Sequence, residues 1–122
     1  MKNSTRIGVT SELCGVLFEW LDFDGDDCFS DFHIIVSQEA GTRRFDFGPC
    51  VVSSLRRLAE FFTDQTQLTV GGGFQHPDIR YYDVHREHDG YCLAIRFENE
   101  PSERFHIPAP LVQIDDGFLG HH

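Results

Sequence analysis

The sequence predicts an α+β fold, a mostly antiparallel sheet of about six strands (meander, helix, hairpins) with one main α-helix packed on one face. Three observations carry this expectation. Only Phe45–Phe62, FDFGPCVVSSLRRLAEFF, sustains a helical period, with Leu55, Leu58, Ala59 and Phe62 falling on a single apolar stripe. On both sides of it apolar and polar residues alternate with a period of two, as half-buried strands do. Asp-Gly pairs at Asp24-Gly25 and Asp89-Gly90 separate such runs and mark hairpin turns. A chain of 122 residues with 40% hydrophobic content and twelve Phe suits one domain, residues 1–122, around one core.

Taken in order, residues 1–5 form a loose start, and Ile7 to Leu21 reads as strand because Val16, Phe18 and Trp20 alternate with Gly15, Leu17 and Glu19. The acidic turn LDFDGDDCF follows, then FSDFHIIVS, which sets Phe32, Ile34 and Val36 on one side and Asp31, His33 and Ile35 on the other. A turn at Ala40-Gly41-Thr42 leads to a third strand carrying Phe45 and Phe47, which Gly48-Pro49 is expected to break before the helix. Beyond the helix, Gln67–Val70 reads as a short strand and Gly71-Gly72-Gly73 as a flexible loop. Tyr81–His88 and Tyr91–Glu98 form the clearest hairpin. Glu103–Ile107 adds a strand, and Leu111–Ile114 is apolar enough to dock on a sheet edge.

Charge narrows the function. Twenty Asp and Glu against ten Lys and Arg give a formal charge of −10, which disfavours nucleic acid, whose phosphates need clustered cations. No Lys or Arg occurs between Arg6 and Arg43, whereas Glu12, Glu19, Asp22, Asp24, Asp26, Asp27, Asp31 and Glu39 all lie there. Such a stretch is either a solvated surface or a negative patch that steers a positive partner. No apolar run is long enough to span a membrane, and no apolar block follows the basic residues near Met1, so a cytoplasmic protein without a membrane partner is expected. Cys14, Cys28, Cys50 and Cys92 show no zinc-finger spacing and read as buried thiols.

Candidate chemistry is sparse. Asp22–Asp27 looks like a calcium loop, but the glycine and the twelfth-position glutamate of that motif are misplaced. The triple glycine lacks the lysine and helix start of a phosphate loop. In the polar set His76, Asp78, Asp83, His85, Glu87, His88 and Asp89, strand geometry puts Asp83, His85 and Glu87 on one face. A metal held by Asp83 and His85 needs His33 or Asp31 alongside. Ser53 and Ser54 suit helix capping more than catalysis, and Cys50, just before the helix, is the one candidate nucleophile. No cofactor is expected.

The core residues Phe45, Phe47, Leu55, Leu58 and Phe62, followed by Tyr82, Val84, Gly90, Leu93, Ile95 and Phe97, make a pattern over roughly residues 40–98. It resembles that of small bacterial immunity proteins of the WapI-immunity type and their relatives. The resemblance implies a non-enzymatic protein that binds and neutralises a cognate toxin. The acidic stretch independently suits a basic partner. Asp22, Asp24, Asp26, Asp27 and Asp31 are the expected partner-facing residues, with Trp20 or Phe23 as apolar anchor. Two alternatives stand beside this reading: a small metal-dependent hydrolase using the His/Asp cluster, and an assembly subunit, monomer or homodimer, that pairs through a sheet edge.

Overall fold

Alternation of period two builds two sheets here where the sequence predicts one. The computed structural model describes residues 3–22, 29–64, 66–74, 80–97 and 100–116. Within them run β1 (Asn3–Thr10), β2 (Cys14–Asp22), β3 (Phe29–Gln38), β4 (Gly41–Val51), α1 (Val52–Thr63), β5 (Thr69–Phe74), β6 (Arg80–Glu87), β7 (Gly90–Phe97), β8 (Glu103–Pro108) and β9 (Leu111–Asp116). A five-stranded sheet has the order β4-β3-β2-β1-β9, and a four-stranded sheet the order β5-β6-β7-β8. Every pairing is antiparallel. The predicted six-strand single sheet is therefore corrected to nine strands in two sheets among the described residues.

The inner faces of the sheets share one core. Ile7, Val16, Phe18, Phe32, Ile34 and Phe47 from the larger sheet meet Tyr82, Leu93, Ile95 and Ile107 from the smaller, all buried in one cluster. Aromatic contacts join the layers: Phe32 and Phe47 lie 5.3 and 5.6 Å from Tyr82 between ring centroids, within the range of favourable aromatic pairs. The helix is the crossover from β4 to β5. Its buried face, Val52, Leu55, Leu58, Phe61 and Phe62, serves both layers, since Phe62 touches Phe18 at 5.8 Å and Tyr91 at 5.1 Å.

Three local expectations about the strands change. Between Thr10 and Cys14 the chain turns, making β1 a separate strand rather than a loose start. The turn is held by the Ser11 hydroxyl, which donates to Cys14 O and accepts from Cys14 N–H. Gly48-Pro49 does not end β4. Opposite the Phe32–His33 step the register shifts by one residue, and Gly48 takes φ 75°, a bulge that turns Cys50 inward after Phe47. Pro49 is tolerated because β4 is an edge strand. Gly71–Gly73 is strand, not loop: a Cβ on Gly71 would stand 2.6 Å from Tyr82 O, so only glycine permits that approach of β5 to β6.

The helix itself is capped from outside. Its N-cap is Val51, without a side-chain cap, so Ser53 and Ser54 lie inside the first turn and do not cap it. No basic residue occupies the last turn. Arg86, on the inner face of β6, supplies what is missing. Its guanidinium donates to Phe61 O, to Asp64 O at 2.8 Å and to Gln67 O at 2.7 Å, and it lies 4.7 Å from the centre of the Phe61 ring.

Candidate functional site

Of the residues expected to face a partner, Phe23, Asp24, Asp26 and Asp27 lie outside the described residues, as do His76, Asp78 and Cys28. Asp22 is the last residue of β2, paired with Asn3. Asp31 is exposed on the outer face of β3, opposite Pro49. Trp20 is corrected: it is 2% exposed and packs on Phe32 at 6.1 Å, because it alternates with Cys14, Val16 and Phe18, which all point into the core. A side chain without surface cannot anchor a partner. The sequence reading missed two that have it. Phe29 is 63% exposed and Leu21 41% exposed, both at the end of the β2–β3 hairpin beside Asp31. Phe29 shares the strand parity of Asp31, which points away from the core, and that alternation was the signal available.

The rest of this outer face is closed upon itself. Register aligns Asp115, Arg6, Glu19, His33 and Asp46 in a single row across five strands, with Arg6 and His33 each set between two carboxylates. Arg6 Nε donates to Glu19, and His33 Nε2 lies 2.8 Å from the other Glu19 oxygen. Burial by itself raises the Glu19 carboxyl, but the hydrogen bonds and charges of Arg6 and His33 outweigh it and hold the group below its ordinary range.

The expected metal set is not assembled. Asp83 and His85 lie on β6 in the smaller sheet, whereas His33 and Asp31 lie on the outer face of the larger one, with the core between. His33 is engaged by Glu19 instead. Cys50 is no nucleophile: it is buried, its thiol donates to Gly48 O, and burial together with the nearby Asp31 charge pushes it up to about 12.

The outer face of the smaller sheet is different. Asp83, His85 and Glu87 do share it, and pairing adds Cys92, Arg96, Arg104 and His106. Cys92 stands directly between His85 and His106. His106 Nδ1 lies 2.8 Å from Glu87 Oε1, and Arg96 bonds Asp83 Oδ2 at 2.9 Å. His85 Nδ1 is 3.3 Å from Asp83 Oδ1 but off line for a hydrogen bond, so that oxygen is buried without a donor. Burial first, and Glu87 second, raise the Cys92 thiol, with Arg104 opposing them.

Between the β1–β2 and β3–β4 turns lies an open depression of about 480 Å³, lined by Glu12, Leu13, Gln38 and Glu39 among others; it gathers no acid–base pair. No helix among the described residues is long and apolar enough to cross a membrane. Compared with protein-family models, with curated proteins and with solved structures, the chain matches none.

Proposed function

We propose that this chain is a non-enzymatic, acidic protein-binding module of the immunity type, which neutralises a cognate basic toxin through the end of its β2–β3 hairpin. One observation carries the reading: Phe29 and Leu21 remain exposed beside Asp31, at the base of the chain's most acidic segment. Burying side chains of this size against a partner is worth about 1.5–3 kcal/mol each, and the core has no use for them. Asp31 and the carboxylates that precede it in the sequence supply long-range attraction and reject acidic partners. An apolar centre with a charged rim is the usual anatomy of a small recognition surface. The core-residue resemblance to immunity proteins points the same way.

The test uses a basic toxic domain that binds this chain, sought first among the products of the neighbouring genes. Asp27→Lys with Asp31→Lys is expected to slow its association with this chain by about tenfold at low salt. Phe29→Ala is expected to speed dissociation by a similar factor. Association and dissociation rates unchanged by both variants would overturn the assignment of this surface.

A further inference from the structure

On the outer face of the smaller sheet, the geometry points to a binding site for a zinc-class divalent cation, held by Cys92, His106 and Glu87, with His85 supplying the fourth donor. Ligand atoms of Glu87, Cys92 and His106 all lie within 4.8 Å of one another. They come from three adjacent strands, β6, β7 and β8, so a cation there ties the sheet together across its width. Cys92 is 1% exposed although it faces away from the core, and its cross-strand neighbours are two imidazoles rather than apolar side chains. Cys14 and Cys50, by contrast, belong to the apolar core cluster.

Register brings His85 within reach. Residues directly opposite on antiparallel strands hold their Cβ atoms about 4.5–5.5 Å apart, and His85 is directly opposite Cys92. No aligned hydrogen bond to Asp83 locks its ring. Gly90 lies between Glu87 and Pro108, so no side chain of β7 blocks the Glu87 carboxylate from reaching over to His106. A thiolate, imidazoles and one carboxylate form a mixed donor set that suits borderline-soft Zn²⁺, whereas calcium and magnesium take oxygen ligands. On binding, the Cys92 thiol releases its proton to solvent, and Glu87 exchanges its contact with His106 for the cation.

Cobalt(II) titration of the full chain carrying His121→Asn and His122→Asn, which removes the terminal imidazoles, tests the site. The expected result is one cobalt per chain, a thiolate-to-cobalt charge-transfer band and the visible bands of a tetrahedral centre, all displaced by equimolar zinc. Cys92→Ser abolishes the charge-transfer band. Glu87→Gln and His106→Gln, both at exposed positions that leave the core intact, each weaken zinc by at least about tenfold, with circular dichroism unchanged. Absence of bound cobalt, a charge-transfer band that survives Cys92→Ser, or zinc affinity unchanged in the two exposed variants would overturn the proposal.

Discussion

The two sheets share a core and an alternating pattern, yet they handle their polar residues in opposite ways. In the larger sheet the outer face neutralises itself: Arg6, Glu19 and His33 bond one another, in a row flanked by Asp115 and Asp46. Its glycines Gly8 and Gly15 have room for a methyl group. In the smaller sheet, Arg86 turns inward to hold the helix, Gly71 and Gly90 sit where no Cβ fits, and the outer row keeps a thiol between two imidazoles. One sheet is a self-sufficient scaffold with an exposed end, while the other anchors the helix and carries a cluster of thiol, imidazole and carboxylate side chains. Period-two patterning cannot distinguish them, because it reports which face a residue takes and not what lies across from it.

Arg86 should give the largest difference. Arg86→Ala leaves the carbonyls of Phe61 and Gln67 without this donor, leaves Asp64 O with only the Gln67 N–H at 3.3 Å, and removes the cover of Phe61, so it is expected to lower unfolding free energy by about 3–4 kcal/mol, measured in urea. A loss below about 1 kcal/mol would mean that water caps the helix as well as Arg86 does.

The glycines sharpen the same contrast. A Cβ on Gly90 would stand 2.1 Å from Ile107 O, so Gly90→Ala is expected to cost about 2–3 kcal/mol as β8 is pushed outward. The matched substitution Gly15→Ala meets only Thr10 Cγ2 at 3.5 Å and should be neutral or slightly stabilising, within about 1 kcal/mol. Equal losses at both positions would erase the distinction between the sheets.

The smallest effect is electrostatic. Glu19 titrates below its ordinary value of 4.5 in the fold, so the unfolded chain takes up its proton first as pH falls. Its contribution is fully present above that value and is lost as pH drops through the folded one. Glu19→Gln should therefore flatten part of the acid limb of stability, by less than about 1 kcal/mol, and leave the region above pH 6 with a constant offset.

Much of this was legible in the residues. The inward set Tyr91, Leu93 and Ile95 and the alternation of β3 stand as the periodicity predicts, while the helical stripe keeps Leu55, Leu58 and Phe62, leaves Ala59 half-buried and adds Val52 and Phe61. The two-sheet division was not legible, because β4 and β5 are consecutive around the helix and nothing in their sequences says that they join different sheets. The β1–β2 turn was missed because Ser11-Glu12-Leu13 contains no glycine, proline or asparagine; the Ser11 hydroxyl and the bond from Ser11 N–H to Cys14 O close it. The triple glycine misled because flexibility is glycine's commoner use, and close backbone approach is visible only once β6 is in place. Trp20 was misassigned since an aromatic beside an acidic hairpin looks alike in the core and on the rim. Half of the outer row was within reach: the tight turn at His88-Asp89 fixes Glu87 opposite Gly90 and hence His85 opposite Cys92. The place of His106 required the register of β8.

We propose that the hairpin end, and not the smaller sheet's outer face, meets the partner. The most direct test follows association with such a basic toxic domain across ionic strength. It compares the parent chain, the Asp27→Lys/Asp31→Lys variant and the Glu87→Gln/His106→Gln variant. The hairpin variant is expected to lose most of the salt dependence and the sheet variant to retain it in full. A salt dependence that survives in the hairpin variant and disappears in the sheet variant would place the interface on the opposite side of the molecule.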